Sequence, residues 1–201
     1  VSIRLGIFYS VFLCFLALLV LINFNLFTII LAMASMPLAF TYPLMKRFTY
    51  WPQLFLGITF NYGLILGWTA IEGEINFIAI LFYLGAIFWT LGYDTIYGYQ
   101  DIKDDEIIGL KSTSIKFKGN AKKFLISCYS FLIIFFLGGG YVMKFNYIYF
   151  VLMLIPIFHL FFYQLKTFNL RDSSSCLKAF KSNNLLGLII FLNILAGKNL
   201  I

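Results

Sequence analysis

The stretch that decides the fold is a membrane-length apolar segment, residues 77–93, that runs directly into a cluster of four aspartates. The junction and the cluster read Tyr93-Asp94-Thr95-Ile96-Tyr97-Gly98-Tyr99-Gln100-Asp101-Ile102-Lys103-Asp104-Asp105. Only 11% of the residues in the chain are charged. Carboxylates so close to lipid are costly unless a cation or water meets them. The stretch therefore predicts a membrane helix whose end carries either a cation site or a solvated acidic surface.

The spacing of the aspartates favours a cation site if one helix continues through them. On such a helix, positions 94, 97, 101 and 105 recur every three or four residues and share a face. Asp94 and Asp101 would be separated by a rise of roughly 10 Å, and Asp101 and Asp105 by one turn. Stacked oxygen ligands suit Mg²⁺, which proteins hold by one or two carboxylates and the phosphates of a substrate. The alternative is a solvated helix end whose carboxylates are balanced by the lysines that follow.

Composition assigns the whole chain to the membrane. The 201 residues are 62% hydrophobic, and the mean hydropathy is +0.92. Most of the seven apolar stretches are long enough to cross a hydrocarbon core of about 30 Å, and they occupy residues 5–22, 26–42, 53–71, 77–93, 124–143, 147–163 and, in a shorter last stretch, 184–197. We therefore expect an all-α, polytopic transmembrane helical bundle of about seven spans that forms a single domain over residues 1–201.

The lysines and arginines predict how this bundle is oriented. Threading seven spans puts 13 of the 15 basic residues on one side and only Lys144 and Lys198 on the other. The positive-inside rule makes the richer side, which also holds the aspartates, the cytoplasmic or matrix side. The net charge of +7 is then a signal for the lipid bilayer. Because the basic residues are spread over separate loops, no nucleic-acid partner is expected.

Two loops on the aspartate side carry further candidates. Residues 42–53 read Tyr-Pro-Leu-Met-Lys-Arg-Phe-Thr-Tyr-Trp-Pro-Gln, in which Lys46 and Arg47 could clamp a carboxylate or a phosphate. The alternative is that these two charges only orient the protein. After the aspartates, Gly109 permits a turn, and Lys111 could meet a phosphate as a point charge.

Polar signals within the spans are sparse. Asn61 is expected to bond a neighbouring helix, with a substrate contact as the alternative. Gly57, Gly63 and Gly67 are spaced for close helix packing. The three cysteines have neither paired nor metal-like spacing, so no disulfide framework and no zinc site is expected.

Residues 42–53, 94–113 and 176–184 together resemble the UbiA-type intramembrane prenyltransferases. The most specific part is the run Asp-x-x-Tyr, Asp-x-x-Asp-Asp and Gly-x-Lys-Ser-Thr between residues 94 and 113. The elements Tyr-Pro-Leu-Met-Lys-Arg and Trp-Pro-Gln, with the helix that contains Asn61, resemble in particular the branch that acts on 4-hydroxybenzoate in ubiquinone synthesis. The resemblance covers nearly the whole chain.

The resemblance implies which residues form the site. Members of this family have nine transmembrane helices and two aspartate-rich motifs that together bind Mg²⁺ and a polyprenyl diphosphate. The second motif maps onto Asp101 and Asp105, with Asp94 as a further metal ligand. Asp94 and Tyr97 are the implied catalytic residues, and the implied substrate-binding residues are Lys46, Arg47, Lys111 and Asn61.

The same resemblance implies that the chain is N-terminally incomplete. The first motif of the family, of Asn-Asp-x-x-Asp type, lies between its second and third helices, and residues 1–4 resemble those just after it. The expected fold is therefore the nine-helix prenyltransferase fold lacking its first two helices. The missing N-terminal segment is an expected partner.

The implied function is the Mg²⁺-dependent transfer of a polyprenyl group from polyprenyl diphosphate to the ring of 4-hydroxybenzoate, in a bacterial or mitochondrial inner membrane. Two alternatives stay open, a catalytically inactive fragment that lacks the first motif and a related transferase with another aromatic acceptor. A small transporter is a weaker interpretation, because transporters usually place ionisable groups near the bilayer midplane, often in repeated halves.

Overall fold

All regular structure in residues 2–199 of the computed structural model is helical; this range is the part of the chain that the structure describes, the side chain of Asn199 excepted. A 3₁₀ turn covers Tyr42–Leu44, and a π-helical segment covers His159–Gln164. The α-helices in this range are α1 Ile3–Leu21, α2 Leu26–Thr41, α3 Met45–Phe48, α4 Pro52–Phe60, α5 Tyr62–Glu72, α6 Phe77–Gly98, α7 Ile102–Ile108, α8 Thr113–Lys116, α9 Ala121–Val142, α10 Tyr147–Leu152, α11 Leu154–Phe158, α12 Leu165–Thr167, α13 Ser173–Lys181 and α14 Asn183–Asn199.

Seven segments of the described range are long and apolar enough to cross a membrane, as the sequence predicts. They are Ile3–Leu21, Leu26–Phe48, Pro52–Glu72, Phe77–Gly98, Ala121–Val142, Tyr147–Thr167 and Ser173–Lys198. The protein is thus a multi-pass helical membrane protein. The expectation of a short last span is wrong, because α13 precedes α14 and lengthens this segment to 26 residues. Because successive spans alternate in direction, residues 99–120 lie at the same end of the bundle as residues 49–51 and 168–172; we call it the motif end.

Asparagines begin three helices at the opposite end of the bundle. Asn25 Oδ1 accepts a hydrogen bond of 2.9 Å from the Thr28 N–H, and Asn76 Oδ1 accepts one of 3.0 Å from the Ala79 N–H. Asn146 caps α10 in the same way, and its Nδ2 also donates to the carbonyl of Ala196 at 3.0 Å. Capped helix ends leave fewer unpaired N–H groups near lipid, so these turns can be short.

The helices α6 and α9 form the centre of the bundle, and glycines set their separation. A methyl group on Gly85 of α6 would lie 2.5 Å from Cδ2 of Phe136, and one on Gly92 would lie 2.7 Å from Cε1 of Tyr129. In the reverse direction, a methyl group on Gly139 of α9 would lie 2.9 Å from Phe82. Aromatic rings therefore occupy the space that side chains at these glycines would fill, as small residues at membrane helix interfaces allow.

The predicted packing role of the glycines in the third span is confirmed at one position only. A methyl group on Gly57 would lie 3.0 Å from the carbonyl oxygen of Ile87. At Gly63 and Gly67 no atom from a neighbouring helix within residues 2–199 lies within 4 Å of an added methyl group, so the close packing predicted for these two is not found in this part of the chain. Their side of α5 faces away from the described neighbours, which spacing along one helix cannot reveal.

The first of the seven spans differs from the other six in having no buried residue. None of the residues of α1 is buried, whereas α2 is tied to α5 through buried polar contacts. The hydroxyl of Thr28 donates to that of Thr69 at 3.0 Å, and Asn25 Nδ2 donates to the carbonyl of Thr69 at 2.8 Å. Apolar side chains all around a helix of this length are compatible with lipid on every side.

We predict that Gly92→Ala destabilises the protein by about 1–3 kcal/mol, the usual cost of inserting a methyl group into a well-packed core. Gly67→Ala is the matched control, because it adds the same methyl group where no atom lies within 4 Å and alanine favours a helix over glycine. Thermal unfolding of the purified protein in detergent measures both. Equal melting temperatures for the two variants would contradict the close approach of α6 and α9.

Candidate functional site

The aspartate-rich stretch does not continue α6, so the prediction of one helix through residues 94–105 is wrong. The helix α6 ends at Gly98, and the separate helix α7 begins at Ile102. Between them Tyr99 is 3% exposed, with its ring 5.3 Å from that of Phe168. The chain thus turns into the core instead of extending beyond the bundle. Burial also raises the pKa of the Tyr99 phenol, which stays neutral.

The break separates the carboxylates that were predicted to form one metal site. Asp94 stays within α6, whereas Asp101 precedes α7 and Asp105 lies inside it. The Asp105 N–H donates to the carbonyl of Asp101 at 2.9 Å, so these two residues keep the predicted spacing of one turn. Within residues 2–199, no group of three or more His, Cys, Asp or Glu side chains could hold a metal ion. The structure brings two of the three predicted ligands onto one helical face.

A lysine from the loop at residues 42–48 meets this acidic segment. Lys46 Nζ lies 3.5 Å from Oδ2 of Asp105, whose side chain is only 11% exposed. The Lys111 N–H donates to the carbonyl of Lys46 at 2.8 Å, and Lys111 Nζ lies 3.4 Å from the carbonyl of Phe48. The turn predicted at Gly109 is confirmed, since its φ is +77°. Two loops that are distant in sequence are therefore joined through their main chains.

Four buried polar residues fix the end of the acidic segment to α6 and α4. Gln53 Oε1 accepts from the Thr113 N–H at 3.0 Å, and the hydroxyls of Thr95 and Thr113 share a hydrogen bond of 2.6 Å. Ser114 Oγ donates to the carbonyl of Thr95 at 2.8 Å, one of the carbonyls that a helix end leaves unpaired. A side chain on Gly98 would collide with Ser114 Oγ. We call Gln53, Thr95, Thr113 and Ser114 the polar anchor.

The sequence motifs contain three of the four residues of the polar anchor, but they did not predict the contacts between these residues. The available signal was the run of hydroxyl residues at 112–114 facing the end of an apolar span. Such side chains need partners when they are buried, and all four residues of the anchor are at most 3% exposed. What sequence cannot give is the pairing itself, since Gln53 and Thr113 are separated by 60 positions.

A cavity of about 240 Å³ opens beside the ion pair. It is lined by Tyr42, Pro43, Lys46, Pro52, Gln53, Leu56, Asp94 and Tyr97. The structure thus brings the predicted residues Lys46, Asp94 and Tyr97 together in one place. No hydrogen bond or ion pair within residues 2–199 engages the carboxylate of Asp94, so its oxygens are free to accept one. We call this space the Asp94 cavity.

A second cavity, of about 310 Å³, lies further along α6. Asn61 lines it, but its Nδ2 donates to the carbonyls of Gly57 and Ala86, at 2.8 and 3.2 Å, and to Thr90 Oγ1 at 2.8 Å. The prediction that Asn61 bonds a neighbouring helix is confirmed. Its Oδ1 has no described hydrogen-bond partner, and a substrate contact through that atom stays a prediction. On the far wall, Trp89 Nε1 donates to Asn183 Oδ1 at 2.8 Å.

The other two predicted substrate ligands lie outside both cavities. Arg47 is exposed at the end of α3 and lines neither cavity. Lys111 is half-buried, lines neither cavity, and has its ammonium 5.7 Å from the centre of the Tyr50 ring. Their roles as substrate ligands stay predictions. Both stand close to the Lys46–Asp105 pair because they belong to the loops that form it.

The residues present fit a Mg²⁺ ion that a substrate helps to hold. Asp101 is exposed, and its side chain makes no capping hydrogen bond with α7, so its oxygens are available. Asp105 already has a cation, Lys46, beside it. Two carboxylates one turn apart supply the hard oxygen donors that Mg²⁺ prefers, and Mg²⁺ usually takes its remaining ligands from water and substrate phosphates.

A model of the UbiA prenyltransferase family matches residues 1–194. The chain belongs to the UbiA prenyltransferase family. This membership agrees with the helical membrane fold and with the acidic segment at the motif end.

Three relatives of this UbiA protein share about two fifths of its sequence. A mitochondrial 4-hydroxybenzoate polyprenyltransferase of Bos taurus is 43% identical over 187 residues, which cover 90% of this chain and 49% of that protein. The corresponding protein of Drosophila melanogaster is 42% identical, covering 90% of this chain and 46% of its own length. The 4-hydroxybenzoate geranyltransferase 2 of Lithospermum erythrorhizon is 41% identical, with coverages of 96% and 63%. The chain thus spans about half the length of the curated relatives it matches, and no solved structure matches it.

We predict that Ser114→Ala loosens the acidic segment of this UbiA protein. The substitution leaves the buried carbonyl of Thr95 without its partner, at a cost of about 1–3 kcal/mol. Ser127→Ala is the control, because the exposed Ser127 hydroxyl only donates back to the carbonyl of Lys123 in its own helix. Amide hydrogen exchange across residues 99–114 should accelerate in the first variant alone. Unchanged exchange in Ser114→Ala would rule out the polar anchor as the fixing element.

Proposed function

We propose that this chain forms the greater part of the reaction site of a 4-hydroxybenzoate polyprenyltransferase. The enzyme would move a polyprenyl group from polyprenyl diphosphate to the ring of 4-hydroxybenzoate and would require Mg²⁺. The observation that carries the proposal is the Asp94 cavity, in which a cation and a free carboxylate face the same space beside Asp105. The family match over residues 1–194 and the similarity to 4-hydroxybenzoate polyprenyl- and geranyltransferases support it.

Asp101 and Asp105 are the residues that we assign to Mg²⁺. When it is bound, the metal neutralises the diphosphate charge and makes diphosphate a better leaving group. A cation bound to Asp105 would compete with the Lys46 ammonium group for that carboxylate. Lys46 would then be free to bind a second partner. The released ammonium lines the Asp94 cavity. We assign it to the carboxylate of 4-hydroxybenzoate as a charge-assisted hydrogen-bond donor.

The proposed reaction breaks one bond to the prenyl group and forms another. The allylic C–O bond breaks, and its electron pair leaves with diphosphate. The ring carbon ortho to the phenol hydroxyl forms the new C–C bond. The proton lost from that carbon goes to a base, and we assign this role to Asp94, whose carboxylate has no described hydrogen-bond partner.

The remaining walls of the cavity suit a cationic reaction centre. The ring of Tyr97 lines the cavity and lies 4.8 Å from the ring of Phe180, and aromatic faces attract positive charge. Leu56 and the two prolines of the lining contribute apolar walls. A site that excludes water protects an allylic cation from hydrolysis.

We further propose that the metal site is completed from outside this sequence. The described residues contain no group of three chelating side chains, and two carboxylates leave much of the diphosphate charge to other ligands. An N-terminal segment with a second aspartate-rich motif is the expected source. The same observation also favours the alternative, that this chain has no activity by itself.

We also propose that the chain forms one domain. Its motif end would face the cytoplasm or the matrix, as the uneven distribution of lysines favours.

The metal assignment predicts that Asp101→Asn and Asp105→Asn abolish Mg²⁺-dependent prenyl transfer in membranes that contain the full-length protein. Each substitution keeps the size of the side chain and removes one ligand charge. Glu106→Gln is the control, because Glu106 belongs to the same short helix but its carboxylate forms an ion pair with Lys118. Transfer of radiolabelled prenyl groups to 4-hydroxybenzoate is the measurement. Wild-type turnover in Asp101→Asn and Asp105→Asn would refute the assignment.

The anion assignment predicts that Lys46→Ala raises the KM for 4-hydroxybenzoate about tenfold or more, the worth of one charged hydrogen bond. The KM for the prenyl diphosphate should rise less. Arg47→Ala provides a comparison, since it removes an equal charge from the neighbouring exposed position and should have the smaller effect. An unchanged KM for the aromatic acid in Lys46→Ala would remove Lys46 from this role.

A further inference from the structure

A cavity of about 650 Å³ lies away from the proposed reaction site, in the crevice between α9 and the end of the sixth span. It is lined by Lys122, Ile126, Phe158, Phe161, Phe162, Tyr163, Leu165 and Lys166. None of these residues lines the Asp94 cavity or the cavity of Asn61. We call this space the lysine-rimmed cavity.

The two lysines lie at one end of this cavity, at the level of the membrane surface. Lys122 belongs to the first turn of α9, and Lys166 belongs to α12 near the end of its span. Each of these two spans reaches the motif end of the bundle close to its lysine. Lys122 and Lys166 are exposed, and neither takes part in an ion pair within residues 2–199. Two ammonium groups without a described carboxylate partner thus border one opening.

The rest of the cavity is apolar and lies deeper in the membrane. Phe158 is eight positions before Lys166, which corresponds to roughly 12 Å along the helix. Phe158 and Phe162 are 64% and 61% exposed, with their rings stacked at 5.1 Å. Ile126 continues the apolar wall from α9. The cavity therefore changes from cationic to apolar over the depth at which a phospholipid changes from headgroup to acyl chain.

The π-helical segment gives this wall its shape, and the core of the bundle holds it. Gln164 is fully buried; its Oε1 accepts from Tyr129 OH at 2.6 Å, and its Nε2 donates to Asn183 Oδ1 at 2.9 Å. The wide turn that directs Gln164 inwards leaves Phe162 and Tyr163 directed outwards. Because the inner side is fixed by these bonds, the outer wall is a preformed feature of the fold.

We propose that the lysine-rimmed cavity binds one anionic phospholipid, with its phosphate between Lys122 and Lys166 and an acyl chain along Phe158 and Phe162. Charge complementarity selects an anionic headgroup over a zwitterionic one, since each lysine near a membrane surface attracts acidic lipid. The apolar wall distinguishes a lipid from a free phosphate ion. This site is independent of the prenyl-transfer proposal.

Native mass spectrometry of the purified protein tests the site. We expect dioleoyl phosphatidylglycerol to bind roughly 10-fold or more tightly than dioleoyl phosphatidylcholine, as two lysines contribute. The double variant Lys122→Gln/Lys166→Gln should lose that preference. The matched control is Lys178→Gln/Lys181→Gln, which removes the same charge from α13 at the same membrane end and should retain the preference.

Two further binding measurements distinguish a phospholipid site from a site for a free anion. Dihexanoyl phosphatidylglycerol, which has the same headgroup and short chains, should bind several-fold more weakly than the dioleoyl lipid because the apolar wall is then only partly covered. Inorganic phosphate at millimolar concentration should leave the dioleoyl lipid bound. Equal loss of the preference in both double variants, or displacement of the lipid by inorganic phosphate, would overturn the proposal.

Discussion

The close approach of α6 and α9 is the constraint on which the rest of the molecule depends. Lipid gives apolar helices little reason to associate, so shape and polar contacts must hold them together. Tyr129 fills the space beside Gly92 and donates its hydroxyl proton to Gln164, which connects the centre to the sixth span. The same α6 carries Thr95 and Gly98 to the motif end, where the polar anchor assembles. Packing at the centre thus sets the position of the acidic segment.

The residues of the site form two groups. Some fix the position of the chain, and others line the cavity in which the reaction is proposed to occur. The residues of the polar anchor are buried and paired with one another, so they fix the chain, and of these four only Gln53 also lines the Asp94 cavity. Lys46, Asp94 and Tyr97 line an open cavity instead, and Asp101 is exposed. The Lys46–Asp105 pair has both roles, since it joins two loops and also involves a proposed metal ligand. A change of that pairing would therefore alter both the shape and the charge of the site.

Sequence predicts this fold well wherever a single physical requirement governs a long segment. The seven spans were predictable, because every backbone polar group in hydrocarbon must be paired within its own helix. The break after Gly98 was not predictable. A glycine near a helix end is tolerated, and Ser114, whose hydroxyl group occupies the space beside Gly98, is distant in sequence. Spacing placed Asp101 and Asp105 one turn apart, as the structure does, but it could not show that Asp94 lies on a different helix. The close packing predicted at Gly63 and Gly67 was not found among the described residues, because a helix has several faces and sequence alone does not show which face meets a neighbouring helix.

The exposure of α1 has a consequence for how this helix is positioned. No residue of α1 is buried against the described part of the protein, so that part leaves the sides of α1 open to lipid chains. Its 19 residues span roughly 28 Å, close to the thickness of a typical hydrocarbon core. Where lipid chains surround α1, hydrophobic matching acts on its tilt, so a thinner or thicker bilayer would change the angle of α1 while the glycine-lined centre of the bundle keeps its geometry.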